Sequence, residues 1–304
     1  MKSLIQQLSQ LACFSHIKQI CQVNSGLSSI SFNVQTEQGF YVAKFLGKLN
    51  EDLNGGSNNN SNAAKEIYCH EFFAQHQIAP QVIYSDQHWL VSDFVSGGEL
   101  NDSTLCLNDR LKVAVDLMQK LHHLKLELPV LNIANVISQL LTQGTYQASQ
   151  INLINQIAKY LSLTINVKGD VVCHGDINFS NILVVNTFPI QHYLIDFECT
   201  CLADIEYDIA MLLAINNLDK IYYQAVVHLY ETAYNNYYNN QKSITIDMKL
   251  VMRYLAFSYV INGLWFYSKY KKNNNTTMHQ LALKQFSLFD QLDIFTVSLG
   301  EKMR

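Results

Sequence analysis

Two short apolar runs interrupt an otherwise helical second half of the sequence, and each ends in polar residues. From residue 109 onward, apolar residues recur at spacings of three and four, the period of an amphipathic helix. Val171-Val172-Cys173 and Ile182-Leu183-Val184-Val185 break this period and are typical of short strands. A turn over residues 186–189 leads to a third run, 193–195. The pattern predicts a rigid hairpin that holds a polar site within a helical lobe.

The size and composition of the chain favour two lobes with real hydrophobic cores. Single cores stop growing at about 250 to 300 residues, and this chain has 304, of which 49% are hydrophobic and 15% charged. This composition excludes wholesale disorder. The chain has a formal charge of −4 and so lacks the positive electrostatic field that binding to a phosphate backbone requires. We therefore expect no nucleic-acid partner.

The seven scattered cysteines and the first residues favour a reducing, cytoplasmic compartment. No unbroken apolar segment follows Lys2, so we expect no signal peptide. The most apolar late stretch, residues 254–267, is shorter than the roughly 20 residues that a bilayer requires. It predicts a buried helix and no membrane insertion. The sequence does not indicate an oligomeric state.

The first 46 residues predict one helix and two strands. Apolar residues at helical spacing predict an amphipathic helix over 4–20. Alternating runs at 29–36 and 40–46, joined by a glycine-containing connection, predict a β-hairpin. The Ser/Gly turn at 24–29 would leave backbone N–H groups free, and such a concavity can bind phosphate.

Residues 47–98 complete a predicted small lobe. The Asn-, Gly- and Ser-rich stretch 47–62 predicts a mobile loop. A helix is expected over 63–76, followed by strands at 81–84 and 88–95, and Ser96-Gly97-Gly98 is typical of a hinge. We therefore predict a nucleotide-binding lobe, 1–97, and a catalytic and substrate-binding lobe, 98–304. Further helical regions are expected from residue 109 and over 133–163.

Three polar residues of the central region can together serve phosphoryl transfer. Asp176 and Asn181 are five residues apart across a tight loop, and Asp196 arrives on the return strand of the hairpin. Hard oxygen ligands suit magnesium, which Asn181 and Asp196 would hold. Asp176 would then accept a hydrogen bond from a hydroxyl nucleophile.

These residues resemble the motifs of the aminoglycoside phosphotransferase and choline kinase superfamily, relatives of the protein kinases that phosphorylate small molecules. His174-Gly175-Asp176-Ile177-Asn178-Phe179-Ser180-Asn181 keeps the Asp-to-Asn spacing of the kinase catalytic loop, and Ile195-Asp196-Phe197-Glu198 is similar to the metal-binding segment. The resemblance covers most of the chain and implies ATP and Mg²⁺ as cofactors. It also implies an α+β, two-lobed protein-kinase-like fold, with an antiparallel sheet in the small N-terminal lobe and a larger, mainly helical C-terminal lobe.

The same resemblance assigns further roles. Asp176 and His174 would be catalytic residues, with His174 bracing the turn. Lys44 would hold the nucleotide phosphates and Glu66 would pair with it, although Ala-Ala-Lys-Glu is also typical of an ordinary helix surface. The other implied nucleotide contacts are Ser28 and Ser29 beside Gly26 in the phosphate turn, and Asp93 and Val95 in the hinge that meets adenine.

Departures from the protein-kinase pattern exclude one kind of regulation. Gly175 replaces the arginine that meets a phosphorylated activation loop, and Glu198 replaces the glycine of D-F-G. No A-P-E sequence follows. We therefore expect neither a protein-kinase function nor control by activation-loop phosphorylation.

The expected substrate is a small cationic alcohol. Residues 195–210 and Gly263-Leu264-Trp265 resemble stretches of choline, ethanolamine and thiamine kinases. Aromatic faces and a carboxylate bind such cations, at about 0.5 to 2 kcal/mol for each cation–π contact. The residues that could form this cage are Trp265, Phe266, Tyr267 and Tyr207 with Glu198 or Asp208. The alternatives are an aminoglycoside phosphotransferase, which would need a broader acidic surface, and a pseudokinase-like module that binds nucleotide without transfer.

Several of these residues have a second interpretation from the sequence. The cage aromatics could equally fill a core. His174 with Cys173, Cys199 and Cys201 could form a zinc site, although Cys-x-Cys lacks the usual spacing. His122 and His123 end a periodic helix and are expected to be packed or half-exposed instead of catalytic.

Overall fold

The computed structural model describes residues 2–23, 30–47, 59–185, 190–239, 241 and 243–303. The chain forms two compact units, each assembled from separated segments. Unit 1 comprises Met1–Arg110 and Phe179–Thr200, and unit 2 comprises Leu111–Asn178 and Cys201–Arg304. The lobes predicted from the sequence are instead contiguous, and the division at residue 97 stays a prediction.

The elements mix strands and helices in the way that the α+β class requires. The strands are β1 (Ile17–Val23), β2 (Ile30–Thr36), β3 (Phe40–Phe45), β4 (Val82–Ser85), β5 (Trp89–Asp93), β6 (Gly97–Glu99), β7 (Val171–Cys173), β8 (Ile182–Val185), β9 (Gln191–Leu194) and β10 (Cys201–Ala203). The helices are α1 (Lys2–Leu8), α2 (Asn59–Gln75), α3 (Leu107–His122), α4 (Ile133–Thr142), α5 (Ala148–Thr164), α6 (Ile205–Ile215), α7 (Tyr223–Tyr237), α8 (Met248–Asn273), α9 (Thr276–Asp290) and α10 (Leu299–Met303).

Unit 1 is built on a five-stranded antiparallel sheet with the order β1-β2-β3-β5-β4. The alternating burial of β2 places Phe32 and Val34 in a core with Ala43 of β3 and Val91 of β5. This is the period-two pattern of strands with one face buried. The predicted hairpin of β2 and β3 is confirmed, with Phe32 opposite Ala43.

The predicted helix over 4–20 is wrong beyond Leu8. Leu4 and Leu8 are buried one helical turn apart, but residues 17–23 form β1, which pairs with β2. The apolar spacing of three at Ile17, Ile20 and Val23 is typical of a helix, but the ladder with β2 outweighs this local preference.

Two other expectations for unit 1 are also corrected. The predicted hinge at residues 96–98 contains the start of β6, whose Gly97 and Gly98 pair with Val185 and Val184 of β8. Of the predicted loop 47–62, residues 59–62 belong to α2. Residues 48–58, the phosphate turn 24–29 and the turn 186–189 lie outside the described residues.

The small sheet β6-β8-β9 sets the position of the polar segment in unit 1. Ile182 pairs with Leu194, so the polar residues before β8 lie beside those after β9. The amide of Ile195 donates to the carbonyl of Asn181 at 3.0 Å and extends this ladder. The predicted strand–turn–strand arrangement is confirmed at its described ends.

Unit 2 is mainly helical around α8. Residues from Val251 to Ser268 supply its buried positions, so the prediction that 254–267 form a buried helix is confirmed. The region 133–163 forms two helices, of which α4 begins where the Asn132 side chain accepts from the amide of Asn135 at 2.9 Å. None of the described helices is long and apolar enough to cross a membrane.

Candidate active site

Lys44 on β3 contacts two carboxylates that are distant in sequence. Its ammonium donates to Glu66 of α2 and to Oδ1 of Asp196, the latter at 2.6 Å. Only 14% of the Lys44 side chain is exposed. Burial lowers the pKa of Lys44, but the charges of Asp196 and Glu66 outweigh this effect and raise the pKa above its ordinary value. The ammonium therefore stays charged.

Asp196 is held in an unusual backbone conformation. Its φ of 69° and ψ of 66° lie in the left-handed region, which costs a non-glycine residue free energy. The next residue, Phe197, is buried and packs on Phe73 and His70 of α2, with ring centroids 4.8 and 5.4 Å away. These packing contacts hold Asp196 against Lys44 despite the strain.

A third carboxylate joins this cluster. Oxygens of Glu66, Asp196 and Glu198 all lie within 4.8 Å of one another, and Glu198 is exposed. Hard oxygen donors of this kind fit Mg²⁺. Asn181 lies beside the cluster through its backbone contact with Ile195. Glu198, which the sequence assigned to the substrate, therefore lies with the predicted metal-binding residues.

In unit 2, Asp208 organises the turn that contains Asp176. Its Oδ2 accepts from the amide of His174 and its Oδ1 from the amide of Gly175, both at 2.8 Å. His174 is fully buried, and its Nδ1 accepts from the amide of Asp176 at 3.2 Å. Gly175 has a φ of +76°, which a glycine adopts without strain. Asp176 itself is half-buried.

The structure buries Tyr207 and Asp208 within unit 2, and the substrate roles assigned to them from the sequence stay predictions. Asp208 has no exposed surface, and both of its oxygens accept hydrogen bonds within unit 2. Tyr207 is buried with its ring 5.5 Å from Tyr254 and 6.0 Å from Phe257. The sequence predicted a substrate cage from these residues because it does not distinguish an aromatic or acidic residue that faces a ligand from one that is buried in a core.

The remaining cage residues divide into surface and core. Trp265 is half-buried, and Lys269 Nζ lies 4.9 Å from the centre of its ring, a cation–π contact within the helix. Phe266 is half-buried and packs edge-on against Trp265 at 5.2 Å. Tyr267 is buried and stacks on Tyr146 at 5.3 Å.

The predicted adenine and phosphate contacts are only partly described. Asp93 is exposed at the end of β5, and its amide donates to Gln81 O at 2.9 Å. Val95 is half-buried, and its carbonyl accepts from Gly97 N at 3.0 Å. Ser28 and Ser29 lie outside the described residues.

The structure gives little support to a zinc site formed by His174 and the nearby cysteines. The Nδ1 of His174 is engaged by the amide of Asp176. Burial raises the pKa of the Cys173 thiol well above its ordinary value, whereas zinc binds the thiolate. All seven cysteines are free.

Sequence reasoning missed the buried hydrogen bonds of three residues, Tyr254, His122 and Tyr230. Tyr254 donates its hydroxyl to Asp204 Oδ2 at 2.7 Å, at the start of α6. His122, expected only to be packed, is buried and contacts Asp208 and Tyr230. No motif identifies these partners, because they are 50 to 108 residues apart in sequence. The only signal in the sequence is a polar residue within an apolar period.

Comparison with protein families gives the class of this chain. The model of the Phosphotransferase enzyme family matches residues 19–239, which is more than half of the sequence. The chain belongs to this family and is a phosphotransferase. The resemblance stated from the motifs is therefore confirmed. A search of curated proteins finds no match.

Solved structures of small-molecule kinases share the fold. The choline kinase LicA from Streptococcus pneumoniae is similar with a TM-score of 0.69 at 16% identity, over 94% of this chain and 98% of that one. A choline/ethanolamine kinase family protein from Mesorhizobium loti gives 0.66 at 14%, over 100% and 98%. Spectinomycin phosphotransferase in complex with ADP and spectinomycin gives 0.55 at 15%, over 99% and 97%. These likenesses confirm the predicted kinase-like fold class.

Proposed function

We propose that this phosphotransferase uses ATP and Mg²⁺ to phosphorylate the hydroxyl of a small cationic metabolite, such as choline, ethanolamine or thiamine. The observation that carries the proposal is the contact of Lys44 with both Glu66 and Asp196. A buried ammonium with a raised pKa that is fixed between two carboxylates is suited to neutralise the phosphates of a nucleotide.

Asp176 acts as the base in this proposal. The turn that contains it is fixed by the bonds of Asp208 to the amides of His174 and Gly175. A half-buried carboxylate on a fixed turn can orient a substrate hydroxyl and accept its proton as the oxygen bonds to the γ-phosphorus of ATP. The bond from that phosphorus to the β,γ-bridging oxygen breaks in the same transfer, and ADP leaves. His174 braces the turn and does not move a proton.

Magnesium fits the acidic cluster of unit 1. Asp196 and Asn181 would hold the ion, and Glu198 or Glu66, whose carboxylates lie near that of Asp196, would add a further oxygen. When bound, the ion neutralises charge on the transferred phosphoryl group. Lys44 keeps the Asp196 carboxylate in place.

The aromatic surface at Trp265 is the proposed binding site for the substrate cation. Trp265 with Phe266 offers half-buried aromatic surface, and Lys269 already lies over the Trp265 ring. A substrate cation at this ring would replace that lysine contact. The choline and ethanolamine kinases among the structural neighbours support this class.

The test measures ADP release with choline, ethanolamine, thiamine and kanamycin as acceptors. We expect turnover with one of the three metabolites and a fall in kcat of about 10²- to 10⁴-fold for Asp176→Asn, the range for loss of a general base. The matched control is Asp170→Asn, an exposed aspartate six residues upstream, which should leave kcat unchanged.

Three results would contradict the proposal. Kanamycin turned over faster than every metabolite would identify an antibiotic phosphotransferase. Thermal stabilisation by ATP with magnesium, but no turnover of any acceptor, would identify a nucleotide-binding module. An Asp176→Asn variant within a few-fold of the wild-type rate would remove Asp176 from the role of base.

A further inference from the structure

Two cysteines of unit 2 lie directly opposite each other on neighbouring antiparallel strands. Cys173 is the last residue of β7 and Cys201 is the first residue of β10, and the two are partners in the ladder. Side chains that are directly opposite in a ladder lie on the same face of the sheet, with Cβ atoms about 4.5 to 5.5 Å apart. Both thiols are free.

The hydrogen bonds of β10 show which kind of ladder pair the two cysteines form. The amide of Leu202 donates to the carbonyl of Pro129 at 3.0 Å, and its carbonyl accepts from the amide of Leu131 at 2.8 Å. The backbone groups of Leu202 therefore face away from β7, and those of the preceding residue, Cys201, face towards β7. The Cα atoms of such a hydrogen-bonded pair are about 5.5 Å apart. This separation is within the range that a disulfide bond spans.

The two thiols differ in exposure and in reactivity. Cys173 is fully buried, and its Sγ donates to the carbonyl of Asp204 at 3.4 Å. Burial raises the pKa of the Cys173 thiol well above its ordinary value, so this thiol keeps its proton. Cys201 is half-buried, so a small oxidant reaches it first. An accessible thiol beside a second thiol is the arrangement of a redox-sensing cysteine with its resolving partner.

We propose that Cys173 and Cys201 are a modification site at which a peroxide forms a reversible disulfide, and that this bond slows phosphoryl transfer. The sulfur of Cys201 bonds to one oxygen of hydrogen peroxide, the O–O bond breaks, and the other oxygen leaves as water with the thiol proton. The sulfur of Cys173 then bonds to that of Cys201, and the hydroxyl group leaves with the Cys173 proton as a second water. The two thiols together lose two electrons and two protons, which the peroxide takes up. Other thiols reverse the step, so the bond is transient in a reducing compartment.

The bond acts on the catalytic turn because Cys173 directly precedes it. His174 is the next residue, and Asp176, the proposed base, is three residues away. A disulfide holds its Cβ atoms about 3.5 to 4.5 Å apart, so its formation draws the pair together by about 1 Å. A displacement of about 1 Å at a reacting group can lower a rate about 100-fold. This effect rests on the proposed function, because it assumes that Asp176 is the base.

Mass spectrometry after oxidation detects the bond. The folded, full-length protein is treated with hydrogen peroxide, the remaining thiols are alkylated in denaturant, and the chain is cleaved on the amino side of aspartate. This cleavage places Cys173 on the fragment 170–175 and Cys201 on the fragment 196–203. We expect the two fragments to be linked in the oxidised protein and separate after treatment with dithiothreitol.

Cys199 supplies the matched control, because it is exposed and lies on the same fragment as Cys201. Cys201→Ser should abolish the link, and Cys199→Ser should retain it. We expect oxidation to lower kcat of the wild type about 10- to 100-fold and dithiothreitol to restore it. The kcat of Cys201→Ser should stay near that of the untreated variant under the same oxidation.

The outcomes separate this inference from the proposed function. Unlinked fragments in the oxidised wild type, or linked fragments in Cys201→Ser, would overturn the disulfide site. A linked protein with an unchanged kcat would overturn the control of the catalytic turn. Linked fragments in a protein that phosphorylates no acceptor, whether oxidised or reduced, would support the disulfide site and contradict the proposed function.

Discussion

The ammonium of Lys44 and Oδ1 of Asp196 lie 2.6 Å apart, although 152 residues separate them in sequence. Each comes from a different sheet of unit 1, β3 in one and the segment after β9 in the other. The contact joins a residue expected to bind phosphate to a residue expected to bind metal. It makes Lys44 the most direct target for mutation.

Replacement of Lys44 by methionine removes the positive charge and keeps the length of the side chain. We expect kcat/KM for ATP to fall about 10²- to 10³-fold, as for other losses of a fixed group that stabilises developing charge. Steady-state kinetics at varied ATP measures this. The control is Lys18→Met on β1, whose exposed side chain should tolerate the change. A loss smaller than threefold at Lys44 would contradict its assignment to the phosphates.

His70 predicts a pH dependence of stability. The ring is buried beside Phe197, its Nε2 contacts the carbonyl of Pro80 at 3.0 Å, and burial lowers its pKa from 6.5 to about 4. Between these two pH values the unfolded chain binds the proton and the folded chain does not. The neutral His70 ring therefore makes its full contribution to the free energy of unfolding above pH 6.5. This contribution is lost as the pH falls from 6.5 to about 4, and the total loss is about 3 kcal/mol.

Urea unfolding between pH 4 and 7 checks this prediction. His70→Gln keeps a donor for the Pro80 carbonyl but cannot titrate, so its free energy of unfolding should fall less steeply with acid than that of wild type. His76→Gln, at an exposed position of the same segment, should keep the wild-type slope. Parallel pH profiles for wild type and His70→Gln would show that the imidazole does not cause the dependence.

The hydroxyl of Tyr254 should contribute to stability through Asp204. It donates to Oδ2 at 2.7 Å, while Oδ1 accepts from the amide of Lys168 at 3.0 Å. Tyr254→Phe leaves one oxygen of a buried carboxylate without its donor, which costs about 1 to 3 kcal/mol. Urea unfolding measures the loss, and Tyr160→Phe on the exposed face of α5 is the control. Equal midpoints for the two variants would contradict the prediction.

Substitution of the two neighbouring glycines of β6 by alanine should change the stability of the protein to different extents. A Cβ at Gly97 would overlap the carbonyl oxygen of Val184 and lie 2.8 Å from its carbon, whereas a Cβ at Gly98 meets nothing within 4 Å. The backbone of β8 cannot retreat without breaking the ladder with β6. We expect Gly97→Ala to destabilise by about 1 to 3 kcal/mol and Gly98→Ala to change stability by less than about 0.5 kcal/mol. Thermal or urea unfolding of the pair tests this, and equal stabilities would show that β6 is not formed as described.

Local patterns in the sequence predicted the fold well where one element decides its own conformation. The alternation in β2 and β3, the apolar period of α3, the continuous apolar stretch of α8 and the runs of β7 and β8 are all visible in the residues. Local patterns give the wrong prediction where pairing with a distant strand determines the conformation of a segment. Residues 17–23 have a helical spacing but pair with β2, and Gly97 looks like a hinge but pairs with β8. A one-dimensional pattern does not contain the partner strand.

The same distinction applies to the candidate site. The sequence by itself determined the class of chemistry, because Asp176, Asn181 and Asp196 occur at a spacing that few other functions require. Only the tertiary structure decided what the other acids do. Asp208 and Glu198 are equally acidic in sequence, yet Asp208 is buried under the amides of the turn and Glu198 is exposed beside Asp196. Whether a carboxylate serves the fold or a ligand depends on its burial and on the donors around it, and both are set by residues far away in the chain.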